Sequence, residues 1–285
     1  MPTLRTRYQE LERWSPVLAR TTFLCLMLLG VALIGLLVDS REITGAPAWL
    51  KPAKFGASGV IYLFTLAWLA REIPRTRLLR AATWLIGWIL VAEIIVIEVQ
   101  AARGTTSHFN IDTPLNITMF SAMGIGIATV WVMSMVLLWL HLRTRATDRS
   151  MALALRIGLA LNILGAGVGW TMTQPRPAQL SAMKRGEHPF IAGSHTIGAP
   201  DGGPGLPLTH WSRDHGDLRI PHFLGMHALQ LLPLLLIGIR SIRTHREDGV
   251  ESTAILFAGS FCAIIFVAAL TQALAGHPLI PPSPS

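Results

Sequence analysis

Six of the chain's ten histidines fall between residues 188 and 227, in a stretch that begins as a Gly/Pro-rich loop and ends inside an apolar segment. Imidazole changes charge near neutral pH and is a common metal ligand, so proton transfer or metal ligation is expected there. Two further apolar segments carry groups that oil does not favour. Residues 83–104, TWLIGWILVAEIIVIEVQAARG, contain Glu93, Glu98 and Gln100, while residues 219–240, RIPHFLGMHALQLLPLLLIGIR, contain His222, His227 and Gln230. Lys51 and Lys54 open another apolar run, and Asn116 and Asn162 interrupt two more. Ionisable groups inside a bilayer are costly and face a protein interior or a watery cavity.

These residues define the expected site. Glu93, Glu98 and His227 are candidate proton-handling or catalytic groups, because a buried carboxyl is pushed toward its neutral form. Lys54, Arg103, His108 and Gln230 are candidate ligand contacts. Arg103 would neutralise Glu98 or grip an anion in a bidentate fashion. His222, His227 and His215 are candidate ligands for haem or a divalent metal, since imidazole suits both. On a helix His222 and His227 point about 140° apart, so a metal shared by them needs a further ligand from the loops. Asp214, His215 and Asp217 sit just before that segment, but their spacing matches no zinc signature. His188 and His195 read as ordinary surface residues.

The elements that must hold these groups are transmembrane helices. The chain of 285 residues is 51% hydrophobic and only 14% charged, with a mean hydropathy of +0.48. Seven segments reach the roughly 20 apolar residues a spanning helix needs: about 17–38, 53–70, 80–102, 115–141, 150–172, 220–239 and 251–275. The reading is an all-α, polytopic membrane helical bundle formed by a single domain over 1–285. The net charge of +8 does not indicate nucleic acid, because the arginines sit in short clusters between apolar runs rather than on one basic face. Cys25 and Cys262 lie in apolar runs without any CxxC partner and read as small buried hydrophobes.

The clusters set an orientation. Arg5, Arg7, Arg13 and Arg20 precede or open the first span. Arg71, Arg75, Arg77 and Arg80 lie in the second connection, Arg143, Arg145, Arg149 and Arg156 in or near the fourth, and Arg240, Arg243 and Arg246 in the sixth. Cytoplasmic loops carry the excess of Lys and Arg, which places the N-terminus inside, the C-terminus outside and the protein in the cell membrane. His141 and His245 then fall inside and the other histidines outside. The loop over about 173–219, between the fifth and sixth spans, becomes extracytoplasmic. Its Leu180, Phe190, Ile197 and Trp211 are more apolar than a free linker needs, which favours an ordered lid. Gly165 and Gly169 form a GxxxG in the fifth span, a sign of close helix packing.

From a rise of about 1.5 Å per residue, Glu98 and Glu93 lie roughly 6 and 14 Å below the outer boundary, with His227 and Gln230 roughly 10 and 15 Å down. The expected site is therefore an outward-facing polar cavity between the third and sixth spans, roofed by the loop and open to a small molecule, ion or proton. Three functions compete: a haem- or metal-dependent membrane oxidoreductase, a proton-coupled small-molecule carrier, and a sensor or assembly protein without catalysis. Polar contacts that only hold helices together are the structural alternative. A receptor or retinal protein is disfavoured by the inside N-terminus and by a seventh span without lysine.

Overall fold

Seven helices of the chain are long and apolar enough to cross a membrane. The structure, a computed structural model, describes residues 4–242 and 247–280. Arg243, His245 and Arg246 of the orientation argument lie outside these residues. A short helix α1 (Leu4–Trp14) leads into the first span, α2 (Pro16–Val38), which a hairpin of β1 (Glu42–Ile43) and β2 (Ala46–Pro47) follows. The spans α3 (Leu50–Ala70), α4 (Arg77–Ala102), α5 (Pro114–Arg143) and α6 (Arg149–Met172) come next. A short helix α7 (Pro177–Lys184) and the pair β3 (Thr196–Ile197) and β4 (Gly216–Asp217) stand before the last two spans, α8 (Arg219–Ile242) and α9 (Asp248–Leu274).

Local chemistry fixes where the spans begin. Ser15, Thr76, Thr113 and Asp148 each accept a hydrogen bond from a first-turn N–H of α2, α4, α5 and α6, satisfying donors that a helix start leaves orphaned. Pro16 and Pro114 follow two of these caps, where a missing N–H costs nothing. Helix α3 has no such cap and starts at Leu50, earlier than the expected 53. Pro52 is tolerated because it falls in the first turn. Lys51 and Lys54 are therefore helical residues rather than part of a preceding loop.

The helices pack as two groups. Helices α2, α3 and α4 contact one another, as do α6, α8 and α9, while α5 joins them by packing on α4 and α6. Across the other side α3 meets α8 over a narrow contact. Among the described residues α4 and α8 form no packed pair. This corrects the expectation that the third and sixth spans face each other; α3 lies between them.

The tightest pairing is α6 against α8. A Cβ added to Gly165 would stand 2.7 Å from the Gly225 Cα, and one added to Gly158 2.7 Å from the Leu229 Cα. The close approach thus uses glycines seven apart on α6 rather than the GxxxG pair; a Cβ at Gly169 would meet only the His222 ring, at 3.8 Å. Without a hydrophobic drive between helices, such backbone proximity supplies the dispersion contacts that hold them. One end of the bundle, called here the arginine end, carries the α3–α4, α5–α6 and α8–α9 connections. The opposite, hairpin end carries β1–β2, the α4–α5 connection and the long loop.

Candidate ligand site

The loop over 173–218 is tied to the hairpin end by main-chain hydrogen bonds. Ile111 N–H donates to Phe190 O at 2.9 Å, Ala192 N–H to Phe109 O at 2.8 Å, Ser194 N–H to Met172 O at 2.9 Å and Leu218 N–H to His195 O at 3.0 Å. Gly193 holds φ 114°, and a Cβ there would stand 2.5 Å from Met172 O, so only glycine lets the loop pass this close. Beneath the loop lies a cavity of about 620 Å³, walled by the start of α3, the β1–β2 hairpin, the α4–α5 connection and the long loop.

Its charged lining comes from Lys51, Lys54, Arg219, Asp201 and Asp214. Arg219 is neutralised by Asp217 at 2.6 Å, a carboxylate only 1% exposed that also accepts from Ser212 N–H and Arg219 N–H. Asp201 accepts from Ser194 Oγ, from the main-chain N–H groups of His195 and Thr196, and from His195 Nδ1 at 2.9 Å. Among the described residues neither lysine has an ion-pair partner: Lys54 Nζ donates to Thr209 O at 3.0 Å and Lys51 Nζ stands 5.9 Å from the Phe55 ring centre. The wall thus holds two ammonium groups with no carboxylate committed to them.

The aromatic and histidine lining is equally organised. His108 lies between Phe55 (tilted, 5.6 Å) and Phe109 (edge-on, 6.1 Å), and Phe109 meets His195 edge-on at 4.9 Å. Burial lowers the pKa of His195 against the opposing pull of Asp201, and burial together with Lys51 puts His108 well below the ordinary histidine value. Burial alone would raise the Asp201 pKa, but the hydrogen bonds and charge supplied by His195 and the hydrogen bond from Ser194 outweigh it and hold the carboxyl well below its usual range. Thr44, Phe109 and His210, all lining residues, adopt left-handed backbone conformations with φ of 51°, 62° and 54°. Such strain costs free energy and concentrates at binding sites.

The sequence-derived candidates divide. Lys54, His108 and His215 line the cavity. Glu93 and Glu98 do not, although both are buried (4% and 8% exposed) with Glu93 Oε2 and Glu98 Oε1 left without a hydrogen-bond partner. Arg103 donates to the amide oxygens of Gln100 and Asn116 and is not paired with Glu98 among the described residues. His222 donates Nδ1–H to Gly165 O at 2.8 Å, which bridges α8 to α6. His227 donates to Phe223 O and stacks on that ring at 3.9 Å. Gln230 borders a separate groove between α3 and α8. Among the described residues no three His, Cys, Asp or Glu side chains gather as a metal cage requires, so His222, His227 and His215 are not brought together around one point.

Sequence reasoning missed Arg219, His195 and Asp201. His195, read as a surface residue, is a half-buried ring clamped by a carboxylate. Nothing in the spacing of Ser194, His195 and Asp201 signals this, because the loop closes only through its bonds to Phe109 and Met172. Chemically, the site can hold an anion at the lysines and exchange a proton at His195 Nε2. No family model matches this chain, and no curated protein or solved structure does.

Proposed function

We propose that this chain is a multi-pass membrane protein that binds an anionic small molecule, or the anionic part of a larger one, in the cavity at its hairpin end. The observation that carries the reading is the pair Lys51 and Lys54, two ammonium groups on a cavity wall with no ion-pair partner among the described residues. Lys51 is partly buried and Lys54 exposed, so both ammonium groups are open to pairing with an anion that enters the cavity. His195, oriented by Asp201, stands on the same cavity, where its ring can exchange a proton with such a ligand. The hairpin end is assigned to the extracytoplasmic side, with the loop as its lid, because Arg71, Arg75, Arg77, Arg80, Arg143, Arg145, Arg149 and Arg240 belong to the opposite end, where the positive-inside bias keeps them in the cytoplasm.

Two measurements test this. Purified protein should melt at a higher temperature with inorganic phosphate or succinate than with chloride at equal ionic strength, and Lys51→Gln with Lys54→Gln should abolish the difference. No stabilisation by any anion sinks the reading. A reporter fused after Ser285 should be active only outside the cytoplasm; a cytoplasmic signal reverses the side.

A second reading, ligation of haem or a divalent metal, has one observation in its favour. His195, His222 and His227 each commit Nδ1–H to a protein oxygen, the arrangement that presents Nε2 to a metal. Purified protein that shows a Soret band shifted by dithionite, and loses it in His222→Ala, supports this reading. Colourless, metal-free protein ends it.

A further inference from the structure

A second, separate groove lies along the narrow seam between α3 and α8, on the side of the bundle that also carries the start of α3. Trp211, which lines the cavity, meets Phe223 of α8 edge-on at 5.6 Å. Below Phe223 the same face of α8 continues with His227, Gln230 and Leu234, residues spaced so that they stack one above another. On α3, Lys54, Ile61 and Trp68 recur every seven residues, which keeps them on one face with a drift of about 20° per heptad. These two faces border a second cavity of about 350 Å³, walled by Ile61, Phe64, Trp68, Gln230, Pro233 and Leu234. At about 1.5 Å per residue this groove runs from roughly 10 to 21 Å below Lys54, inside a hydrocarbon layer about 30 Å thick.

The groove opens sideways. Ile61, Phe64 and Leu234 are exposed hydrophobics, as are Leu231 and Leu235 beside them, so its mouth faces bilayer chains and not water. Lys51 and Lys54 stand at its upper end without an ion-pair partner among the described residues, beside Asp201 and Asp214 of the same cavity, and its body is apolar apart from Gln230 and Thr65. That pattern complements one kind of molecule, which the surrounding bilayer itself supplies.

We propose that the cavity's ligand is an anionic membrane lipid, with the head-group phosphate held by Lys51 and Lys54 and one hydrocarbon chain lying in the α3–α8 groove. The inference rests on the anion-binding reading above and adds the tail. The chain leaves lipid and not water, so no hydrophobic gain drives it into the groove; the tail site adds shape selection and the lysines add the head-group preference. The lid then covers the head group and the bilayer side stays open for entry.

The test uses the full chain in detergent, with dioleoyl phosphatidylglycerol, dioleoyl phosphatidylcholine and water-soluble glycerol 3-phosphate as probes, read by native mass spectrometry and thermal stabilisation. Phosphatidylglycerol should bind about tenfold or more tightly than phosphatidylcholine, and Lys54→Gln should remove that preference. Ile61→Trp and Leu234→Trp, which fill the groove from exposed positions, should weaken phosphatidylglycerol about tenfold and leave glycerol 3-phosphate unchanged. Equal effects of the soluble and lipid anions, insensitive to both tryptophans, overturn the tail site while the anion-binding cavity stands. Equal retention of the two lipids, unaffected by Lys54→Gln, identifies non-specific boundary lipid and overturns the proposal. Failure of all three probes removes the cavity reading and this one with it.

Discussion

The two ends of the bundle use similar charged side chains to opposite effect. At the arginine end, Arg240 of α8 donates to Asp148 at 2.6 Å and to Glu251 of α9 at 2.5 Å, so one guanidinium clamps three helix ends. Arg156 caps the end of α5 through His141 O and Thr144 O, both at 2.9 Å. Arg71 lies over Trp14 and Trp68. At the hairpin end Arg219 and Asp217 form a similar internal pair, but Lys51 and Lys54 are left out of any such pair among the described residues. The contrast teaches where this protein spends charge on shape and where it keeps charge for something else.

The comparison can be broken most readily from the arginine end. Arg240→Ala removes a charged partner of a carboxylate that is 2% exposed and should cost on the order of 3 kcal/mol, seen as loss of monodisperse protein and a lower melting temperature. If Arg240→Ala melts like the parent, the clamp is not structural and the contrast fails. Next in size is the α6–α8 crossing: Gly165→Leu forces side-chain atoms onto the Gly225 backbone and should cost at least about 1–3 kcal/mol, while Gly124→Leu, which meets open space, should be neutral.

A smaller effect sharpens the hairpin side. His195 and His108 have pKa values below their unfolded ones, so the folded state resists their protonation. Stability present above the unfolded histidine value of about 6.5 is then lost as the pH falls through it. Asp201 has the same sign lower down, its contribution being lost as the pH drops below the carboxylate range. Limited proteolysis of the loop should accelerate from pH 7.5 to pH 5, and His195→Asn should flatten that dependence. The smallest effect is on stability at the lysines. Lys51→Gln and Lys54→Gln should move the melting temperature of ligand-free protein little, within about 0.5 kcal/mol, while abolishing anion stabilisation. A large loss on folding would mean that these lysines, too, serve the framework.

The seven spans were legible from length and hydropathy, because a helix in lipid must satisfy its own backbone and so advertises itself as a long apolar run. Their ends came within a few residues, since the apolar runs stop where polar and charged residues begin; the caps Ser15, Thr76, Thr113 and Asp148 were not read from the sequence. Lys51 and Lys54 stood out as charges at the head of an apolar run. What they face did not, because helix neighbours depend on pairings such as Gly165 with Gly225 that no periodicity reveals. The same gap produced the expected α4–α8 site. Polar residues at matching depth on those spans suggested a shared cavity, yet depth is one coordinate and the angle around the bundle is another. His195 was lost for a different reason: a loop residue acquires burial only when distant main-chain atoms close over it.

The packing of α5 on both α4 and α6, with only a narrow seam from α3 to α8, has a mechanical consequence. The two helix groups meet through α5 on one side and only through that seam on the other, like two covers joined along a spine. Lys51 and Lys54 stand on one cover, while Arg219 and Trp211 belong to the chain entering the other. A ligand that touches both sides adds contacts where the packing is thinnest, and its affinity then adds to the stability of the whole bundle.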